Sequence, residues 1–156
     1  MLRRYNEGIR DCNEVLHQQS TFIPAALLRA EGNAHLGNYT EALKEFNHII
    51  AIRPRLKYFA MAYWTRAFFY ATCPDNTIRN GQKAKDDALM ACKMRFWKDP
   101  MALDALACSY AELGDFDSAI RYVQKAITLE PAISPFGRRF QRHLALFQQH
   151  KPVRIQ

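Results

Sequence analysis

With 156 residues, 49% of them apolar, and only 6 glycines and 7 prolines, the chain can fill one folded core and is too apolar to be disordered. The 22 basic and 15 acidic residues leave a net charge of +7, a mild bias towards anionic partners that names none of them. The longest apolar stretches, around "FAMAYW" and "AFFYA", are split by Thr65 and Arg66 and fall well short of the roughly 18 residues a bilayer span requires.

The chain opens on "MLRRYNEGIRDC", which is basic but has no apolar core of a secretory leader. Residues 3–20 read as one amphipathic helix. Residues 23–56 read as two helices, "PAALLRAEGNAHL" and the stretch after Gly37, closed by Pro54. Gly32, inside the first of these, costs roughly 1 kcal/mol against alanine, which predicts a softer helix. Residues 60–99 give "AMAYWTRAFFYAT" and "GQKAKDDALMACKMRFW". Between them "CPDNTIRN" is rich in loop formers: Pro74, Asp75, Asn76 and Asn80, with Gly81 after it. Residues 100–133 give two more helices about Gly114, closed by Pro131. Residues 134–149, "SPFGRRFQRHLALFQQ", predict a capping helix. Ser134 is placed to cap it and Pro135 suits its first position. Phe136, Phe140, Leu144 and Phe147 share one face, with Arg138, Arg139 and Arg142 largely off it. Residues 150–156 are a tail.

Two stretches are nearly the same: "LGNYTEALKEFNHIIAIRP" at 36–54 and "LGDFDSAIRYVQKAITLEP" at 113–131. Tyr5, Glu7, Ile9, Cys12, Val15 and Leu16 also fall 34 residues before Tyr39, Glu41, Leu43, Phe46, Ile49 and Ile50. A period of this length belongs to solenoids of paired helices. Each shared position has a mechanism. A glycine just past a helix takes the left-handed conformation that ends it. Alanine at a crossing lets two axes approach. Proline after the last turn forbids further helix.

On these residues the chain resembles the tetratricopeptide repeat family, in which each unit is a helix A, a tight turn and a helix B. The best match is 100–131, through Leu103, Leu106, Ala107, Tyr110, Gly114, Ala119, Val123, Ala126 and Pro131. In 23–56 the turn and second helix fit, but the first has Arg29, Ala30 and Asn33 where the family often has Leu, Gly and an aromatic residue. The middle repeat, with "ATCPD", "NGQKA" and "WKDP", resembles a bacterial variant with a longer turn. The resemblance implies one all-α domain, 1–156: a right-handed superhelix of antiparallel helix pairs. It would comprise about two and a half repeats, an irregular one and a capping helix, about seven helices in all. Residues 3–20 would be a helix B with no helix A before it, so the chain is either a piece of a longer protein or pairs through that end.

Catalytic chemistry finds no support in the sequence. The five histidines lie on different helices without metal-ligand spacing, Ser109 lacks a glycine-flanked elbow, and there is no glycine-rich phosphate loop. Cys12, Cys73, Cys92 and Cys108 form no CxxC pair and read as buried free thiols of a reducing, cytoplasmic setting. The expectation is therefore no catalytic residue, no metal and no cofactor. What remains is a surface. The resemblance places the A helices on the concave side and implies groove positions Leu27, Glu31 and His35, then Trp64, Phe68 and Thr72, then Asp104, Cys108 and Glu112. Such a groove would take a peptide or helix of another protein, with Trp64 and Phe68 as apolar anchors and the carboxylates drawing basic residues. Acidic groups at these positions disfavour capture of a terminal carboxylate. Two rival readings are an anionic ligand, nucleic acid included, held by Arg138, Arg139 and Arg142, and self-association through the amino-terminal helix.

Overall fold

The computed structural model describes residues 2–53 and 56–155; Pro54, read above as a closing proline, lies outside them. Among the described residues there are eight α-helices and no strand: α1 (Leu2–Gln18), α2 (Ile23–His35), α3 (Tyr39–Ala51), α4 (Leu56–Thr72), α5 (Gly81–Met94), α6 (Pro100–Glu112), α7 (Phe116–Leu129) and α8 (Pro135–Gln148). The expected count of seven is one short, because one orphan helix, three pairs and a cap make eight.

Each helix packs on the next, and in addition α2 touches α4, α4 touches α6 and α6 touches α8. Among the described residues no such contact joins α1, α3, α5 and α7 to one another. The even-numbered helices therefore form a continuous column, with the odd-numbered ones laid along its outside, as in a solenoid of helix pairs.

The turns follow from two glycines. Gly37 and Gly114 have φ of 84° and 82°, in the left-handed region. Each ends its helix with the same two hydrogen bonds. Gly37 N–H donates to Ala34 O at 3.2 Å and Asn38 N–H to Asn33 O at 2.9 Å; Gly114 N–H donates to Ala111 O at 3.1 Å and Asp115 N–H to Tyr110 O at 3.0 Å. These rings satisfy carbonyls the helix end would otherwise leave bare.

The alanines sit at the crossings. Ala42, Ala84, Ala88, Ala91, Ala119 and Ala126 are fully buried, so no side chain keeps the axes apart. Around them Phe46, Phe140 and Phe147 are sealed in, and truncating such a ring costs about 3–5 kcal/mol. Gly32 has a packing role: a Cβ there would lie 2.9 Å from Ile9 Cγ1, so its absence lets α1 lie close on α2.

The loop between α4 and α5 is pinned rather than slack. Asp75 Oδ1 accepts from Thr77 N–H at 2.8 Å and from its hydroxyl at 2.7 Å. The Arg79 guanidinium donates to the carbonyls of Cys73 and Pro74 and to Glu112. Asn80 then caps α5 by accepting from Lys83 N–H at 2.9 Å.

The outer helices are tied through the column. Arg29 on α2 donates to Asn13 on α1 at 2.8 Å and to Glu45 on α3 at 2.9 Å. One repeat later, Arg66 on α4 donates to Asn47 on α3 at 2.7 Å and to both oxygens of Asp87 on α5, at 2.7 and 2.9 Å. The third repeat has buried Leu106 at the corresponding place. There the seam is aromatic: Trp97 stacks on Tyr122 at 6.2 Å and Tyr122 on Tyr110 at 5.5 Å between ring centres.

Candidate functional site

The column of even helices presents α2, α4 and α6 side by side, and the nine residues named from sequence fall into two groups along it. The first group lies between α2 and α4. Leu27 is buried in the core beneath. Glu31, His35, Trp64 and Phe68 are half-buried and line a cavity of about 120 Å³, together with Arg139 and Ile155. A wider hollow of about 370 Å³ shares Glu31 and His35 and continues past Tyr5, Ile9 and Cys12. The His35 ring stacks on Tyr5 at 4.5 Å and 11°. Burial pushes the Glu31 carboxyl up to about 7, with Arg139 pulling the other way.

The second group is covered by the chain itself. On α6, Asp104 and Cys108 are buried beneath α8. Asp104 Oδ1 lies 2.7 Å from His143 Nδ1, and its Oδ2 lies 3.1 Å from Arg139 Nη2. Cys108 Sγ is 3.8 Å from the same His143 nitrogen. The Arg139 guanidinium also sits 5.3 Å from the ring centres of both Phe68 and Phe140. At the far ends of α4 and α6, Thr72 and Glu112 are met by the tail. Ile155 N–H donates to Thr72 O at 3.0 Å, and Arg154 Nη2 lies 2.7 Å from Glu112 Oε2. Arg79 takes the other oxygen of Glu112 at 2.8 Å. Thr72 turns its own hydroxyl back onto Phe68 O, at 2.7 Å.

Among the described residues Asp104, Cys108 and His143 bring three potential metal-ligand atoms within 4.8 Å of one another. Sequence spacing separates them, since His143 stands 35 and 39 residues from the other two. Arg139 already places a positive charge beside Asp104, which a buried carboxylate needs. Burial, then the neighbouring Asp104 charge, raises the Cys108 thiol well above its ordinary range, against the pull of Arg139. All four cysteines are free and buried.

The three arginines of the capping helix part ways. Arg138 and Arg142 are exposed, whereas Arg139 is turned inward onto Asp104 and Phe68. The sequence groups Arg139 with its neighbours, and Arg154 of the tail with them, as one basic patch; the structure instead turns Arg154 onto Glu112. The available signal was the alternation in Val153-Arg154-Ile155, which suits an extended segment with two apolar residues facing one way. His143 likewise lies three residues from Phe140 and four from Phe147, on the buried face.

Residues 100–133, which span α6 and α7, match the family model of the tetratricopeptide repeat. No curated protein and no solved structure matches the chain. No helix among the described residues is long and apolar enough to cross a membrane.

Proposed function

We propose that this protein, which carries a tetratricopeptide repeat in an all-helical stack of repeat-like pairs, is a non-catalytic scaffold holding a segment of another protein in the hollow between α2 and α4. The family is one of protein–protein interaction modules. One observation carries the finer reading. Between α2 and α4 the column keeps an indentation lined by aromatic rings and the Glu31 carboxylate, with Arg139 and Ile155 at its border, while α6 beyond it is covered by α8 and the tail.

The lining sets the ligand's chemistry. Trp64 and Phe68 offer ring surface to an apolar side chain, the kind of contact that dominates protein interfaces. Glu31 is held partly protonated near neutral pH by its burial. A lysine or arginine brought beside it favours the ionised form, so such a ligand expels a proton on binding and binds more tightly as pH rises through 7. Selection from a random peptide library on immobilised protein tests this. Wild type should enrich segments with an apolar residue beside a basic one, and the Trp64→Ala/Phe68→Ala variant should lose them while keeping its helical circular dichroism. Equal enrichment by both proteins would sink the assignment.

The anionic-ligand reading rests on Arg138 and Arg142, since Arg139 is engaged within the fold. Electrophoretic retardation at two salt concentrations tests it, because phosphate binding falls steeply with salt.

A further inference from the structure

The tail lies against the column without regular secondary structure, and its contacts are those of a bound peptide. Val153 is buried, and Arg154 and Ile155 are half-buried. The Ile155 N–H bonds Thr72 O at 3.0 Å, and Ile155 packs on the core cluster beneath α2, α3 and α4. Arg154 Nη2 lies 2.7 Å from Glu112, and its Nη1 approaches Ala71 O at 3.5 Å. Ala71 and Thr72 close α4, so their carbonyls have no partner within the helix and lie at the negative end of its dipole. A backbone N–H and a guanidinium are the groups that such an end and the Glu112 carboxylate attract. None of these contacts depends on the segment being joined to α8. Ile155 also forms a wall of the cavity that Trp64 and Phe68 line, so the tail and an incoming ligand meet there.

We propose that residues 151–155 are a built-in competitor, and that the external ligand is an extended segment with an arginine between aliphatic residues, which displaces them from Glu112 and the end of α4. This rests on the groove reading above and adds the ligand's pattern and its control. A tethered segment has an effective concentration of the order of millimolar, so a free peptide must bind far more tightly or be abundant to win.

The test uses the whole chain and a fluorescein-labelled synthetic peptide, QHKPVRIQ, followed by anisotropy. The Arg154→Ala/Ile155→Ala variant should bind it at least tenfold more tightly than wild type does. A peptide with alanine for the arginine should bind the variant at least tenfold more weakly. Equal affinity for variant and wild type, or no binding to a variant of unchanged helicity, overturns the proposal. Should the variant lose helicity, wild type serves in its place. Unlabelled peptide at several times the ~1 mM effective concentration of the tail should speed hydrogen exchange at the Ile155 amide. Unchanged protection there overturns the proposal too. Library selection that still depends on Trp64 and Phe68 would then leave the groove reading standing.

Discussion

The repeat of α2 and α3 and the repeat of α6 and α7 share turn geometry to within a few tenths of an ångström, yet they are finished differently. Helix α6 is capped by Asp99, which accepts from Met101 and Ala102, and α7 by Asp115, which accepts from Ser118. Neither α2 nor α3 has a side-chain cap: Phe22 cannot make one, and Asn38 donates to Asn33 instead. The carboxylates show the same contrast. Asp104 is buried against Arg139 and His143, whereas Glu31 is half-buried, with Arg139 acting on it only through its charge. The α6 part of the column is closed by its own chain, and the part between α2 and α4 keeps polar groups in wait.

Substitutions can break or sharpen that contrast. Removing the Asp104 carboxylate leaves Arg139 and His143 facing each other unpaired, so Asp104→Ala should cost about 3–5 kcal/mol in urea denaturation. The opposite sign is expected between α2 and α4. The folded-state value of Glu31 lies above its unfolded value of 4.5, so this group's contribution is most favourable below that pH and is lost as pH rises towards 7. Glu31→Gln should match wild type at pH 4 and exceed its stability at pH 8 by about 1–3 kcal/mol. Equal stability at both pH values would show that the carboxyl is well solvated.

Smaller effects should separate the two repeats' caps. Asp115→Ala should cost about 1 kcal/mol by thermal melting, and Asn38→Ala less than about 0.5 kcal/mol. Gly32→Ala sets two effects of similar size against each other. The gain of about 1 kcal/mol in helix propensity is opposed by the push on the Ile9 side chain, and the net shift should stay within about 1 kcal/mol.

The sequence made the repeat plain because a turn glycine, crossing alanines and a following apolar stripe are local signals at a fixed period. It also marked α8 through Ser134, Pro135 and the phenylalanine face, and the structure has Ser134 accepting from Gly137 N–H at 2.8 Å. Long-range pairings were not legible. Nothing near Glu112 says that Arg79 and Arg154 converge on it, and nothing near Asp104 points to α8. The arginines of the outer seams were equally hidden. Arg29 looked like a departure from the family pattern and Arg66 like a break in an apolar run, yet each takes an asparagine from the outer helix before it and a carboxylate from the one after.

Those seams also differ in how they are held. A guanidinium fork on a carboxylate holds one distance and one plane, so the joints spanned by Arg29 and Arg66 resist shear. At the corresponding place the third repeat has stacked rings instead, with Lys125 over Trp97 and Arg121 over Tyr122. Across the same joint the Arg79 guanidinium holds Glu112, so α6 too is anchored by charge to the loop that follows α4, and a change of curvature around a cargo would have to strain a fork at every repeat.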